Sequence, residues 1–544
     1  MNSFFDKLYS NNRLAISFFA ILSLFFFIGL GLVNLFDWDE INFAESAREM
    51  IESNNYLRVQ INYTAFWEKP PLFFWLQVLG MKLFGVTAFA ARFPNAVFGF
   101  IYLITLYFIG KKHFSAKFGL IWSLVFFGSL LPHIYFKSGI IDPVFNYFIF
   151  MSIYFMLRVI GNDSNATKLA VLSGIFSGLS VLTKGPVGFL LLGLTLLVYL
   201  IIKRFKGFPK FNTILLFFLG LLFIVCSWLS IELLQNGMDT MQKFIAYQLE
   251  LFSSDVAGHA QPFYYHFVVV FFGCFPMSIL ALPAFRRKEE QPFDMQTWML
   301  CLFWVVIIIF SITTTKIIHY SSMTYIPLSF LASLVLFKHL KAETTLRKWQ
   351  STVFLIIGVL LGFVFITLPL LLKNKEVIYP YMNDQFAVDS LATSTNWSGF
   401  EIIGGILFSI GIVLTYILLR RGRIINGLVI NAISMGATLL IILFFILPKI
   451  EAFTQGPAIE FYEDKKGEDC YIESFGFKSY AQYHYSETPA GLRQESKDIT
   501  WLLKGDIDKS VYLVSKSTNR ELDDYPGFKL LYSKGGFRFY LRQP

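Results

Sequence analysis

Apolar runs bounded by charge, proline or glycine recur at 14–35, 90–110, 118–132, 143–160, 168–183, 186–202, 211–234, 263–284, 296–313, 318–337, 351–372, 400–419 and 424–447. A bilayer core takes roughly 20 residues of helix, so the pattern predicts about thirteen transmembrane helices. The run at 72–85 is apolar but short, and 118–132 is barely long enough, which leaves the count open by one or two. The first run is too long for a cleavable signal and has no small-residue cleavage site before Asp37, so it reads as a retained span. Beyond Leu447 the pattern changes. Strand-like runs appear at Cys470–Glu473, Val511–Val514, Lys529–Tyr532 and Phe537–Leu541, the last two joined across Ser533–Gly536 with Gly535-Gly536 as the turn signal.

The expected architecture is therefore a polytopic α-helical membrane domain over 1–447, with a long polar loop at 37–89, followed by a small soluble α/β domain over 448–544. Composition agrees: 55% of residues are hydrophobic and 15% charged, where a soluble domain carries roughly 25% charged residues. A water-soluble globule is excluded. The net charge of +9 does not imply nucleic acid, because Lys and Arg sit in short clusters between apolar runs rather than along one amphipathic face.

Those clusters set the orientation. Lys7 and Arg13 precede the first span. The same side then receives Lys111, Lys112 and Lys117; Arg158 and Lys168; Lys203 through Lys210; Arg286, Arg287 and Lys288; Lys338 through Lys348; and Arg420 through Arg423. By the positive-inside rule that side is cytoplasmic, and an odd number of spans puts the C-terminal domain outside. Cys226, Cys274 and Cys301 lie in apolar runs and Cys470 stands alone, so the cysteines form no disulfide framework or zinc spacing.

Four outer segments hold polar groups that composition does not require. Asp37-Trp38-Asp39-Glu40 opens a helical pattern in which Ile41, Ala44, Ala47 and Ile51 share one face and Asn42, Glu45 and Glu49 another, predicting a helix along the membrane surface. Asp39 reads equally as its N-cap. Glu68 and Lys69 precede Pro70 and Pro71 on a stiff, extended segment, where an interfacial anchor is the bland alternative. Asp142-Pro143 is also a plain helix start. Lys184, in the tight Thr183-Lys184-Gly185-Pro186 connection, and Lys316 defy the charge bias; each is either a functional cation or a lysine that snorkels to the interface. All fall on one face by an orientation that did not use them. Together they supply carboxylates, cations and the aromatics Trp38, Trp67 and Tyr320 around a lipid-accessible cavity, suited to a phosphate on a lipid carrier and to proton removal from an acceptor.

In order and context, Asp39-Glu40, Ala44-Glu45, Arg48-Glu49-Met50, Glu68-Lys69-Pro70-Pro71, Asp142-Pro143, Thr183-Lys184-Gly185 and Lys316 to Tyr320 resemble the GT-C membrane glycosyltransferases related to protein O-mannosyltransferases, in particular the bacterial lipid A aminoarabinose transferases. The resemblance implies an inverting transferase of the bacterial inner membrane, drawing a sugar from a polyprenyl-phosphate carrier on the periplasmic side for lipid A, a protein or a surface glycan. It makes Asp39 and Asp142 the catalytic acids and gives the carrier phosphate to Lys69, Lys184 and Lys316. Glu40, Glu68, Tyr320 and His259 become substrate-binding residues.

Two positions depart from the family. An arginine is replaced by Asn42, and the histidine that pairs with the Glu-Lys-Pro glutamate at a metal is replaced by Gln248, with His259 nearby. No cofactor is certain on that basis, and a divalent metal at Glu68 is left open. His259 reads as an acceptor-binding or solvated residue in preference to a ligand. The segment from Glu232 to Gln261 reads as a lid at the cavity mouth, or an interfacial helix without a gating role. A transporter or flippase of lipid-linked sugars is the competing function. It would place its polar groups near the bilayer midplane and show paired repeats, and no repeat is visible.

Overall fold

The structure is a computed structural model that describes residues 2–161, 163–253, 261–286 and 294–544. Among these, nine helices are long and apolar enough to cross a membrane, and two bent pairs, within Phe4–Phe27 and Tyr265–Phe285, bring the number to eleven. The shorter apolar helices Ala116–Phe127 and Val187–Ile202 occupy the other two of the thirteen expected segments. Arg287 and Lys288, used above for orientation, and His259 lie outside the described residues.

The irregular spans show how backbone polar groups are satisfied where water is absent. Ala116–Phe127 is too short to cross a bilayer alone, and every residue from Phe118 to Phe127 is buried, so other helices cover it rather than lipid. At its end the Gly128 carbonyl accepts from Asn431 Nδ2 at 2.8 Å. Tyr265–Gly273 and Met277–Phe285 meet at 102° around Pro276, and the Phe275 carbonyl freed there accepts from Leu130 N at 3.0 Å. Non-helical backbone at membrane depth is tolerated on those terms. The first span differs from expectation: its helix ends at Phe27, and Gly29, with φ 81°, opens an irregular stretch up to Phe36.

Close helix packing uses small residues. A Cβ on Gly174 would lie 2.0 Å from the Phe217 carbonyl oxygen, and one on Gly220 would lie 2.5 Å from that of Val171. The Ala166–Lys184 and Phe211–Ser253 helices therefore touch backbone to backbone, as small-residue spacing permits in lipid. In the segment read as a lid or an interfacial helix, the described residues from Glu232 to Ser253 are helical, within Phe211–Ser253, with a break at Gly237 at φ 77° and ψ 176°.

The tail forms a four-stranded sheet in the order Tyr471–Phe475, Val511–Lys516, Phe537–Arg542, Phe528–Lys534. The first pair is parallel and the rest antiparallel. Gly535 and Gly536 turn the last hairpin with φ of 55° and 79°, the conformation that a two-residue turn demands.

This sheet domain covers the Asp39–Glu52 helix. The expectation of a surface helix with a wet polar face is corrected, because Glu40 through Met50 are all buried. Arg48 donates to Glu45 at 2.7 and 2.8 Å and to the Thr488 carbonyl at 3.0 Å. His484 Nδ1 lies 3.2 Å from Glu45 Oε2, and Tyr63 donates its N–H to Glu49 and its hydroxyl to the Thr488 carbonyl, at 2.8 and 3.0 Å. Burial opposes the charge on Glu45, yet Arg48 and His484 hold its pKa below the ordinary carboxylate value. Burial and then the Glu45 charge push Glu49 the other way, above its ordinary 4.5.

A raised folded-state pKa stabilises below the unfolded value and loses that contribution as pH rises toward the folded one. Stability should therefore decline as pH rises past 4.5, and Glu49→Gln, uncharged throughout, should flatten the decline in thermal unfolding measured from acidic to alkaline pH. An unchanged slope in the variant would contradict this reading of Glu49.

Candidate active site

Four helix ends meet at one end of the bundle, under the C-terminal domain. Asp39 is the first residue of its helix, preceded by Trp38, and makes no capping hydrogen bond, so the N-cap alternative is not what the structure shows. Its Oδ2 lies 3.4 Å from His319 Nε2. The same nitrogen is 3.8 Å from Asp142 Oδ2, and Asp142 Oδ1 accepts from Lys184 Nζ at 2.7 Å. Asp39, His319, Asp142 and Lys184 thus lie in one line of polar contacts.

Local sequence explains each placement. Asp142 opens the Asp142–Ile160 helix with Pro143 in its first turn, where a fixed φ and a missing N–H cost nothing. Lys184 closes the following helix, Ala166–Lys184, and Gly185, at φ 85° and ψ −165°, lets the chain reverse into the next. The Lys184 ammonium also sits 5.3 Å from the Tyr320 ring centroid. His319 and Tyr320 lie in the 3-10 turn Ile318–Thr324 that leads into Tyr325–Lys341.

Lys69 donates to Glu68 at 2.6 Å. Burial works against its charge, but Glu68 first, then Asp39 and Tyr320, hold its pKa above the ordinary lysine value. Beside it opens a cleft walled by Leu57, Phe66, Trp67, Trp228 and Phe244, with Arg58 3.8 Å from the buried Glu232 at its edge.

Several expected roles change. Glu40 does not face a substrate: Arg92 grips both its oxygens at 2.7 and 2.9 Å, and the amides of Gly139 and Phe36 donate to it at 2.5 and 3.0 Å. Burial would raise its pKa, yet Arg92 lowers it, so this carboxylate anchors the helix. Lys184 was expected on a phosphate and is held by Asp142. Lys316 is buried and donates to the Thr313 carbonyl at 2.6 Å, outside that line of contacts. Tyr320 is in the site, packed 5.5 Å from Phe310 between ring centroids.

The metal that the family resemblance implies does not fit the residues described. Glu68 has an ammonium against it, and no group of three or more His, Cys, Asp or Glu side chains among the described residues is placed to hold a metal ion. His259 and the side chain of Gln248 are not among them. Sequence reasoning missed His319, although it lies inside the Lys316 to Tyr320 segment; a single histidine between apolar neighbours carries no spacing signal.

The model of the family described as dolichyl-phosphate-mannose-protein mannosyltransferase matches residues 68–230, which include Lys69, Asp142 and Lys184. A similar protein of Wigglesworthia glossinidia brevipalpis, an undecaprenyl phosphate-alpha-4-amino-4-deoxy-L-arabinose arabinosyl transferase, is 25% identical over 64% of this chain and 63% of its own length. One of the same description from Erwinia tasmaniensis is 23% identical over 59% of this chain and 58% of its own. The matched region thus spans less than two thirds of either transferase. The crystal structure of ArnT from Cupriavidus metallidurans bound to undecaprenyl phosphate superposes with a TM-score of 0.76 over 97% of both chains, at 18% identity. The chain is thus similar in sequence to these arabinosyl transferases and shares the ArnT fold. Asp39 and His319 lie outside the matched family segment, so the fold, rather than that segment, joins them to Asp142.

The two aspartates should behave differently on neutralisation. The Asp142 and Lys184 side chains are 4% and 14% exposed, so Asp142→Asn strands a buried ammonium and should cost about 3–5 kcal/mol. Asp39 is 29% exposed and, among the described residues, its ion-pair contact within 4 Å is His319, so Asp39→Asn should cost no more than about 1 kcal/mol. Unfolding temperatures in detergent measure both, and equal losses would contradict the division between a structural acid and a reactive one.

Proposed function

We propose that this membrane transferase moves a sugar from a polyprenyl-phosphate carrier to a hydroxyl on the outer, periplasmic face of a bacterial inner membrane, with inversion at the anomeric carbon. The observation that carries the reading is the placement of Asp39, with His319 behind it, within electrostatic reach of the Lys69 ammonium at the mouth of an apolar cleft.

Each part has a chemical task. The cleft of Trp67, Trp228 and Phe244 takes apolar chain, and Lys69 takes the phosphate where that chain ends. Asp39 accepts the proton of the acceptor hydroxyl as its oxygen bonds to the anomeric carbon. The bond from that carbon to the phosphate oxygen breaks, and its electron pair leaves with the phosphate, whose growing charge Lys69 neutralises in a site of low dielectric. A single displacement of this kind inverts the carbon. His319 steadies the Asp39 carboxylate and passes no bond to the sugar. Lys184 keeps Asp142 compensated, which fixes His319 between the two acids. The reactive groups sit at helix ends rather than at the midplane, which favours this reading over transport.

The test uses the purified full chain with an undecaprenyl-phosphate-linked sugar and hydroxyl acceptors. Asp39→Asn should lower turnover by about 10²–10⁴-fold while undecaprenyl phosphate still binds, and Lys69→Met should weaken that binding. Wild-type turnover in Asp39→Asn would end the proposal.

A further inference from the structure

A second cavity, of about 240 Å³, opens where the C-terminal domain meets the loop that follows the Asp39–Glu52 helix. Its walls include Asn62 from that loop and Tyr471, Glu473, Tyr483, Thr488 and Ser496 from the domain. No part of the proposed reaction uses it. Asn62 precedes Tyr63, whose amide bonds Glu49, and Glu49 follows Asp39 by ten residues of helix. At 1.5 Å per residue that is about 15 Å from the reacting centre, too far for the donor sugar.

Charge defines what the cavity accepts. The ionic groups at its mouth are matched among themselves: Lys465 with Glu468 at 2.8 Å, Lys466 with Glu487 at 2.5 Å and Lys509 with Asp469 at 2.5 Å. An anion such as a phosphate finds no unmatched cation among these pairs. Inside, Glu473 accepts from Tyr483 Oη, from Gln482 Nε2 at 2.6 Å and from Ser474 N at 2.9 Å. Burial outweighs those bonds and pushes its pKa above the ordinary value. The remaining polar wall is amide and hydroxyl, set beside the rings of Tyr471 and Tyr483. Apolar ring faces next to fixed hydroxyls suit a ligand with one apolar and one hydroxylated aspect. The volume falls below the roughly 300–1,000 Å³ of drug-sized sites, in keeping with a single ring.

We propose that this cavity binds one sugar ring of an acceptor glycan, several units away from the hydroxyl that receives the transferred sugar. The identity of the ligand as acceptor rests on the glycosyltransferase reading; sugar binding itself does not. The cavity wall is also wired to the catalytic helix. Thr488, which lines it, gives its carbonyl to both Arg48 and Tyr63, so an occupied cavity and an aligned Asp39 share one support.

Saturation-transfer NMR on the full chain in detergent micelles tests the proposal, with glucose, galactose, N-acetylglucosamine and maltose at millimolar concentration as probes. At least one should show transfer to its ring protons. Tyr483→Phe, which removes one hydroxyl, and Asn62→Asp, which keeps a side chain tolerant of positive φ and adds a charge, should each weaken binding about five-fold or more, the worth of one neutral hydrogen bond. Binding of undecaprenyl phosphate should stay at the wild-type level in both variants, and unfolding temperature should stay there in Asn62→Asp, whereas Tyr483→Phe, which takes a donor from the buried Glu473, should lower it modestly while the chain stays folded. No transfer from any of the four sugars, or transfer unaltered in both folded variants, would overturn the inference. Failure of undecaprenyl phosphate to bind the wild type would instead sink the carrier-dependent reading and leave the cavity result standing.

Discussion

A charge removed from water has to be matched, and the pairing of Lys184 with Asp142 is the match on which the site depends. It ties the end of one span to the start of another. That pairing leaves Asp142 able to face His319 without a surplus of negative charge, and His319 in turn faces Asp39. Remove the lysine, and two carboxylates compete for one imidazole in a site that excludes solvent. The same logic recurs at Glu40, which Arg92 neutralises while donating also to the carbonyls of Leu30, Val33 and Asn34. One arginine thus holds the irregular end of the first span and the first turn of the catalytic helix together.

That helix lies between two bodies of different character. Below it are helices whose polar backbone is closed by neighbours, as at Gly128 and Phe275. Above it is a sheet domain that meets Glu45, Arg48 and Tyr63 with His484 and Thr488. Asp39 sits at the end of the helix left open between them. The arrangement explains why Glu45 and Glu49 are buried: Glu45 meets His484 of the covering domain, and Glu49 accepts from Tyr63, whose hydroxyl reaches that domain at Thr488.

Much of the membrane domain was legible because lipid imposes a simple rule, and spans such as Lys348–Lys373 obey it. Lys69, Asp142 and Lys184 were legible for the converse reason, since charge in an apolar setting stands out. What stayed hidden depended on distance along the chain. Arg92 lies 52 residues from Glu40, and His484 lies 439 from Glu45, so no local pattern revealed that Glu40 is an anchor or that the helix is covered. His319 was hidden differently: its role comes from two acids on separate helices. For the segment after Gly237 the sequence left a lid and an interfacial helix as alternatives, because mixed polar and apolar residues suit both.

The most direct measurement of the account is a cryo-electron microscopy structure of the full chain with undecaprenyl phosphate. The account predicts the phosphate within hydrogen-bonding distance of Lys69 Nζ, on the side that faces Asp39 and His319, with the lipid chain running past Trp67 and Trp228. A phosphate seated away from Lys69, with Asp39 facing no part of the ligand, would contradict it.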